Sequence, residues 1–260
     1  MKETSLTKSV HIYPIESERK LGRFDLGKYV LKQITNSKLD LQDGDILVIS
    51  SKFAAMAEGR FVRLSKVRPS RKTIRLANRF AIDPKLTELV LQESETILGG
   101  IPGFLLAVSR GIIAPNAGID RSNVPKDYAI LYPKDPNRTA EAIFRFLSRS
   151  TKRKVGVILS DSRITPGRLG TIGIAIASSG FNPVEDERGK EDLFGNKLKV
   201  TMKAVADQIA SAAELVMGEA SESVPIALVR GCNADFGGVE KSMVIPYSEC
   251  LYIQGLKNSY

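Results

Sequence analysis

Residues 155–173, VGVILSDSRITPGRLGTIG, constrain this chain more than any other stretch. Val155, Val157, Ile158 and Leu159 form an apolar, largely β-branched run that suits a buried strand. The run stops at Ser160, Asp161 and Ser162, and the loop expected after it carries Arg163, Pro166, Gly167, Arg168 and Gly170. A buried strand thereby delivers a carboxylate and hydroxyls to its own end. Mixed sheets place ligands at such ends, because the strand is rigid while the loop after it is free to vary. The alternative is a plain turn, in which Asp161 only caps the backbone amides that follow it.

Other stretches repeat the pattern. Residues 24–35 predict a helix, with Leu26, Tyr29, Val30 and Ile34 at helical spacing and Asp25 as its cap. Asp43-Gly44-Asp45 is a turn, and the strand Ile46-Leu47-Val48-Ile49 that follows ends in Ser50, Ser51 and Lys52. A short helical piece over 53–58 closes on Gly59, which tolerates the left-handed conformation. Ser70 and the Asp83-Pro84 pair mark two further helix starts. Residues 104–109 and 111–114, split at Arg110, predict a hairpin that runs into Asn116-Ala117-Gly118-Ile119-Asp120. Asp135-Pro136 opens a helix through Arg149. Later come a strand over 172–177, a charged loop over 185–196, a helix over 200–217 and a strand over 225–229. The helix over 200–217 has a face of small residues, suited to close packing on a sheet or on a partner helix. Strands and helices alternate without a steady βαβ rhythm, which predicts a mixed α+β fold rather than a doubly wound sheet.

Composition excludes several functions. No apolar run approaches the length of about 20 residues that a membrane span needs, and MKETSLTKSVHIYP lacks the hydrophobic segment of a signal peptide. The expected location is the cytoplasm. His11 is the only histidine, which excludes a histidine-based triad or a multi-histidine metal site made by one chain. Cys232 and Cys250 have no metal-type spacing and indicate no disulfide framework. The net charge of +9 is concentrated in residues 60–79, where Arg60, Arg63, Lys66, Arg68, Arg71, Lys72, Arg75 and Arg79 stand without an acidic residue. That stripe suits an anionic partner or is a solvated helix face. Aromatic residues do not interleave it as on an RNA-binding sheet, so nucleic acid is the weaker partner.

A phosphate-binding P-loop and a dinucleotide-binding glycine fingerprint are both absent. What remains is oxygen chemistry: Asp120, Asp161, Ser162 and Glu219, each expected in a loop at the end of a regular element. Hard divalent cations such as Mg²⁺ and Mn²⁺ take carboxylate, hydroxyl and water oxygens, and rely on substrate phosphates to complete the shell.

The segments DGDILVISS, AEGR, NAGIDRSNV, VGVILSDS, RGKEDLFGNKLKVT, AVADQIASAAELVMGE and PIALVRG, in this order, resemble the coenzyme F420-0:L-glutamate ligase (F420 γ-glutamyl ligase) family. The resemblance implies an enzyme that joins L-glutamate to the lactyl-phosphate end of a deazaflavin coenzyme precursor and γ-links a further glutamate. GTP, two Mg²⁺ or Mn²⁺ ions and K⁺ are implied with it. So is the family's α+β fold, with residues 1–260 as one unit of two subdomains in an intertwined homodimer. By motif position, Asp120 and Asp161 would hold one metal, and Ser162, where the family usually has threonine, would hold the second with Glu219. GTP contacts would come from Ser51, Lys52, Asn123 and the run Met217, Gly218, Glu219, Ala220, Ser221, Glu222, Ser223 and Val224. The implied mechanism phosphorylates the acceptor carboxylate to an acyl phosphate, which the glutamate amine then displaces. Two departures stand out. After Ser162 the family's Gly-Arg-Pro type sequence is replaced by Arg163-Ile164-Thr165-Pro166-Gly167-Arg168, and Met56 stands where the family has a nucleotide-binding lysine, leaving Lys52 or Arg168 to substitute. Two other readings are an amide-forming paralogue acting on another phosphorylated metabolite and a catalytically silent nucleotide- or nucleic-acid-binding protein.

Overall fold

A computed structural model describes residues 9–237 and 242–257; residues 1–8, read above for a leader segment, lie outside the described residues. A five-stranded sheet runs in the order His11–Ile15, Ile226–Arg230, Ile46–Ser50, Gly156–Ile164, Thr171–Ser179. Ile46–Ser50 and Gly156–Ile164 are parallel, with Ser50 beside Ser160, and the other neighbours are antiparallel. Strands covered on both faces must be apolar throughout. Leu47, Ile49, Val157, Leu159, Ile226 and Leu228 accordingly enter one core, under the helices Leu26–Asn36 and Pro136–Thr151. Ile46, Val48, Ile158, Ala227 and Val229 enter the other, under the helix Val205–Met217. Each fully buried Ile or Leu contributes about 1.5–3 kcal/mol. Asp25 and Asp135 cap their helices as expected, accepting from the amides of Lys28 at 3.1 Å and Arg138 at 3.0 Å.

The central strand does not stop at Leu159. It continues through Asp161 and Ser162 to Ile164 and folds back as a hairpin into Thr171–Ser179. Its parallel partner ends at Ser50, so the overhang needs only one ladder, and a register shift between Leu159 and Ser160 adapts the pairing there. The expected loop shrinks to a turn over 165–170, and Asp161 and Ser162 sit in a strand rather than in a loop.

The helix expected from Val200 begins at Val205, because Met202–Ala204 pairs with Val184–Asp186 and a Lys203–Glu185 ion pair at 2.9 Å ties the two strands. Part of the expected charged loop is therefore strand. Ala206, Ala210 and Ala213 bury the small face of the helix against the sheet. At Gly173 an added Cβ would lie 2.4 Å from the Ala210 carbonyl oxygen. The sheet takes up the face that a partner helix would have needed.

A third core lies under the strands Thr96–Ile101, Phe104–Ser109 and Ile112–Pro115, packed by Leu89, Val90, Leu105 and Ala107. The predicted hairpin is present, turning through Arg110 and Gly111 at φ of +53° and +74°; the Thr96–Ile101 strand, interrupted by glycines, was not expected. After it, Asn116, Ala117 and Gly118 all take positive φ. Asn116 offsets part of the strain by accepting from the Leu105 amide at 2.9 Å through its side chain. The helix–strand mixture is the α+β fold read from the sequence. No helix among the described residues is long and apolar enough to cross a membrane.

Candidate active site

Segments far apart in sequence close into a ring around the hairpin strand. Ser51 and Lys52 open the helix Ser51–Ala57 directly after Ile46–Ser50. Ser51 Oγ donates to Asp161 Oδ1 at 3.2 Å. Lys52 Nζ lies 2.6 Å from Asp120 Oδ2 and donates to Ser122 Oγ at 2.6 Å. Asp120 also accepts from the amides of Arg121 at 2.5 Å and Ser122 at 2.8 Å, and from Ser122 Oγ at 2.7 Å. Asn123 Nδ2 donates to the Ala220 carbonyl at 2.8 Å. Next to Ala220, Glu219 accepts from Ser162 Oγ and, at 2.6 Å, from Thr171 Oγ1. Ser162 adjoins Asp161, and the circuit is complete.

Successive strand residues point to opposite faces. Asp161 turns toward Ser51 and Tyr132, and Ser162 toward Glu219. The strand is therefore a wall with oxygen donors on both sides. Burial pushes the Asp120 carboxyl up, but the Lys52 ammonium and Ser122 outweigh it and hold the group below the usual range. Glu214, on the helix behind Glu219, is pushed up to about 7 by burial and then by the charges of Glu219 and Asp161. Negative charge thus gathers at Asp161 and Glu219.

The other nominated residues are dispersed around the ring. Met217 is buried in the second core, and Val224 packs against it. Glu222 folds back on the Ala220 amide at 2.7 Å, Ser221 lies exposed, and Ser223 accepts from the Ser17 amide at 2.9 Å through its carbonyl. Gly218 ends its helix at a φ of +71°. Met56 packs against the first core, and Arg168 sits exposed in the hairpin turn. Of the cations considered from the sequence as substitutes, only Lys52 is in the ring.

Four side chains at the site escaped sequence reasoning: Ser122 and Thr171, which bond Asp120 and Glu219, and the pair Tyr132 and Arg163. Tyr132 donates its hydroxyl to Asp161 Oδ2, and Arg163 Nη2 reaches the Tyr132 hydroxyl at 2.9 Å and Asp161 Oδ2 at 3.4 Å. Arg163 Nη1 donates to the Ile113 carbonyl at 2.9 Å. Burial first, and then the Asp161 charge, raise the Tyr132 hydroxyl far above its ordinary pKa, so it stays a donor. Arg163 keeps its charge against burial because Tyr132 and Asp161 face it. A signal existed for Arg163, which shares a strand face with Asp161 two residues earlier. Tyr132 carried none. Its ring fits because residue 118 is glycine: a Cβ there would lie 2.0 Å from the ring carbon that bears the hydroxyl.

A family model described as F420-0:Gamma-glutamyl ligase matches residues 22–231. Three relatives carry the name coenzyme F420:L-glutamate ligase. That of Methanothermobacter thermautotrophicus is 39% identical, over 80% of this chain and 82% of its own length. That of Methanopyrus kandleri is 37% identical over 91% of this chain and 94% of its own. The Methanocaldococcus jannaschii protein is 37% identical over 92% of this chain and 99% of its own. All the ring residues fall inside the matched span, and the chain belongs to the F420-0:gamma-glutamyl ligase family of amide-forming enzymes.

Proposed function

We propose that this protein uses GTP and divalent metal to join L-glutamate, through γ-glutamyl amide bonds, to coenzyme F420-0 or a related acidic acceptor. The observation that carries this reading is the ring itself, which sets hard oxygen donors and one lysine around a single strand. Among the described residues no group of three or more His, Cys, Asp and Glu is placed to hold a metal ion. The ring's carboxylates and hydroxyls, taken one or two carboxylates at a time, suit Mg²⁺ or Mn²⁺, which leave positions for phosphate and water. Asp120 and Asp161 would hold one ion, and Ser162 with Glu219 a second. K⁺ is the proposed monovalent companion. Bound metal would supply positive charge opposite the transferring phosphoryl oxygens.

The chain's own groups would do the rest. Lys52 would face the triphosphate as a point charge, and Asn123 with the exposed residues 219–223 would frame the nucleotide, Met217 and Val224 being taken up by the second core. Tyr132 and Ser51 fix the orientation of Asp161. An oxygen of the acceptor carboxylate attacks the γ-phosphorus, GDP leaves, and the acyl phosphate forms. The amine of L-glutamate then attacks the acyl carbon and loses a proton as phosphate departs. The setting is the cytoplasm, and the working unit a pair of chains. Leu169, Leu193 and Phe194 are almost fully exposed on the hairpin turn and the charged loop, where a second copy would cover them. A monomeric mass at micromolar concentration would remove the pairing.

Mass spectrometry of products formed from GTP, Mn²⁺, L-glutamate and the deazaflavin precursor is the direct test. Glutamate-extended precursor with matching GDP is the expected result, and GTP consumption without an amide product would end the ligase reading. Replacing Lys52 by alanine is expected to weaken GTP binding by about 1–3 kcal/mol, the range of a charge-assisted contact. Unchanged affinity in a GTP titration would take Lys52 out of the nucleotide site.

A further inference from the structure

The basic stretch lies outside the ring. Its first two members are committed: Arg60 pairs with Glu93 at 2.7 Å and Arg63 with Asp127 at 3.1 Å. Lys66 and Arg68 are exposed and form no ion pair among the described residues. Both stand on the rim of a groove of about 730 Å³ whose apolar lining includes Val67, Leu89 and Leu131. Glu93 also lines it, but its carboxylate is occupied by Arg60 and by Arg110 at 2.7 Å. The groove is therefore an apolar trough under uncompensated positive charge. Phe61, in its wall, pairs with Ile130, and Ile130 bridges Asp120. Two strand spacings, about 10 Å, thus separate the backbone of its wall from that of the ring aspartate.

We propose that this groove binds the acidic tail of the acceptor or product, a short chain of γ-linked glutamates, while the reacting carboxyl lies at the ring. The inference rests on the γ-glutamyl ligase reading above. Each γ-linked unit carries two methylenes in its main chain and one free α-carboxylate beside it. Methylenes match the apolar trough, and the carboxylates match Lys66 and Arg68. A nucleic-acid strand, by contrast, needs cations along its phosphates and aromatic faces for its bases, and gains little from an aliphatic trough.

The test uses the full chain, without nucleotide or metal, and a Lys66→Ala/Arg68→Ala variant, both positions being exposed. Calorimetric titrations with γ-linked triglutamate, α-linked triglutamate and a random single-stranded oligonucleotide are compared. The expected result is tightest binding of the γ-linked peptide to the wild type, weakened roughly tenfold or more in the variant. Equal binding of the γ-linked peptide to both proteins overturns the proposal, as does a loss confined to the oligonucleotide. Product formation by the wild type is measured separately. An active wild type whose γ-peptide binding ignores the groove sinks this inference alone, whereas groove-dependent binding by a wild type that makes no amide sinks the ligase reading and leaves an acidic-chain site.

Discussion

Asp161→Asn is expected to lower ligase turnover by at least about 10²–10³-fold, the scale on which removal of one preorganised charge-stabilising group is felt. Asparagine keeps the volume of the side chain and can still accept from Tyr132 while offering its amide to Ser51. What it loses is charge: a neutral amide is a poor ligand for a hard cation. The same change strips a counter-charge from Arg163, whose side chain is only 11% exposed. A stability loss of about 1–3 kcal/mol should therefore accompany the activity loss. The two effects separate in the Asp161→Asn/Arg163→Met variant, which should recover stability in a urea melt without recovering turnover. Near wild-type turnover of the single variant at limiting Mn²⁺ would show that Asp161 is not a ligand, and failure of the second substitution to restore stability would show that Arg163 does not depend on it.

The second large effect is expected at Gly118. An alanine there would have to hold a φ of +72° and place a methyl 2.0 Å from the Tyr132 ring. The left-handed conformation costs about 1–2 kcal/mol and overpacking a further 1–3 kcal/mol, so Gly118→Ala should destabilise by about 2–5 kcal/mol. Relief of the clash must move the ring, and with it the hydroxyl that holds Asp161. Activity should fall even where the variant remains folded. Tyr132→Phe is the comparison, since it removes the hydroxyl and leaves the ring seated: it should cost activity and, through the buried hydrogen bonds to Asp161 and Arg163, about 1–3 kcal/mol of urea stability without the backbone strain of the alanine. If Gly118→Ala unfolds no earlier than the wild type, the close approach of residue 118 to the ring is not the reason for a glycine there.

Most of the fold was legible because buried strands and capped helices carry local signatures. Asp25, Asp83 and Asp135 cap the helices assigned to them, and the Ile46 and Val155 runs became adjacent parallel strands. The misreadings came where pairing depends on a distant partner. Polar residues after Leu159 resemble a loop until Thr171–Ser179 supplies a ladder, and residues 202–204 resemble helix until Val184–Asp186 supplies another. At the candidate site, the nominated Ser51, Lys52, Asp120, Asn123, Asp161, Ser162 and Glu219 lie together, each in or beside a motif segment, whereas Ser122 and Thr171 were not nominated. Tyr132 was missed because its role is fixed by the space that Gly118 leaves on another turn of chain, which no spacing announces. Met56 was read as a gap in the nucleotide site, and its packing against the first core shows why a thioether is at home there.

The ring has one more consequence, which concerns the order of synthesis. Its closing contacts join residues 110, 70, 97 and 57 positions apart, from Ser51–Asp161 to Ser162–Glu219. Contacts of such long sequence separation form late, because the intervening chain must first be ordered. A nascent chain that has not yet emerged past Ala220 lacks part of the circuit, however well its first core has collapsed. Any small molecule that binds the closed ring therefore binds only chains that extend past Ala220, and by mass action protects those from local opening and proteolysis while leaving shorter ones to be degraded.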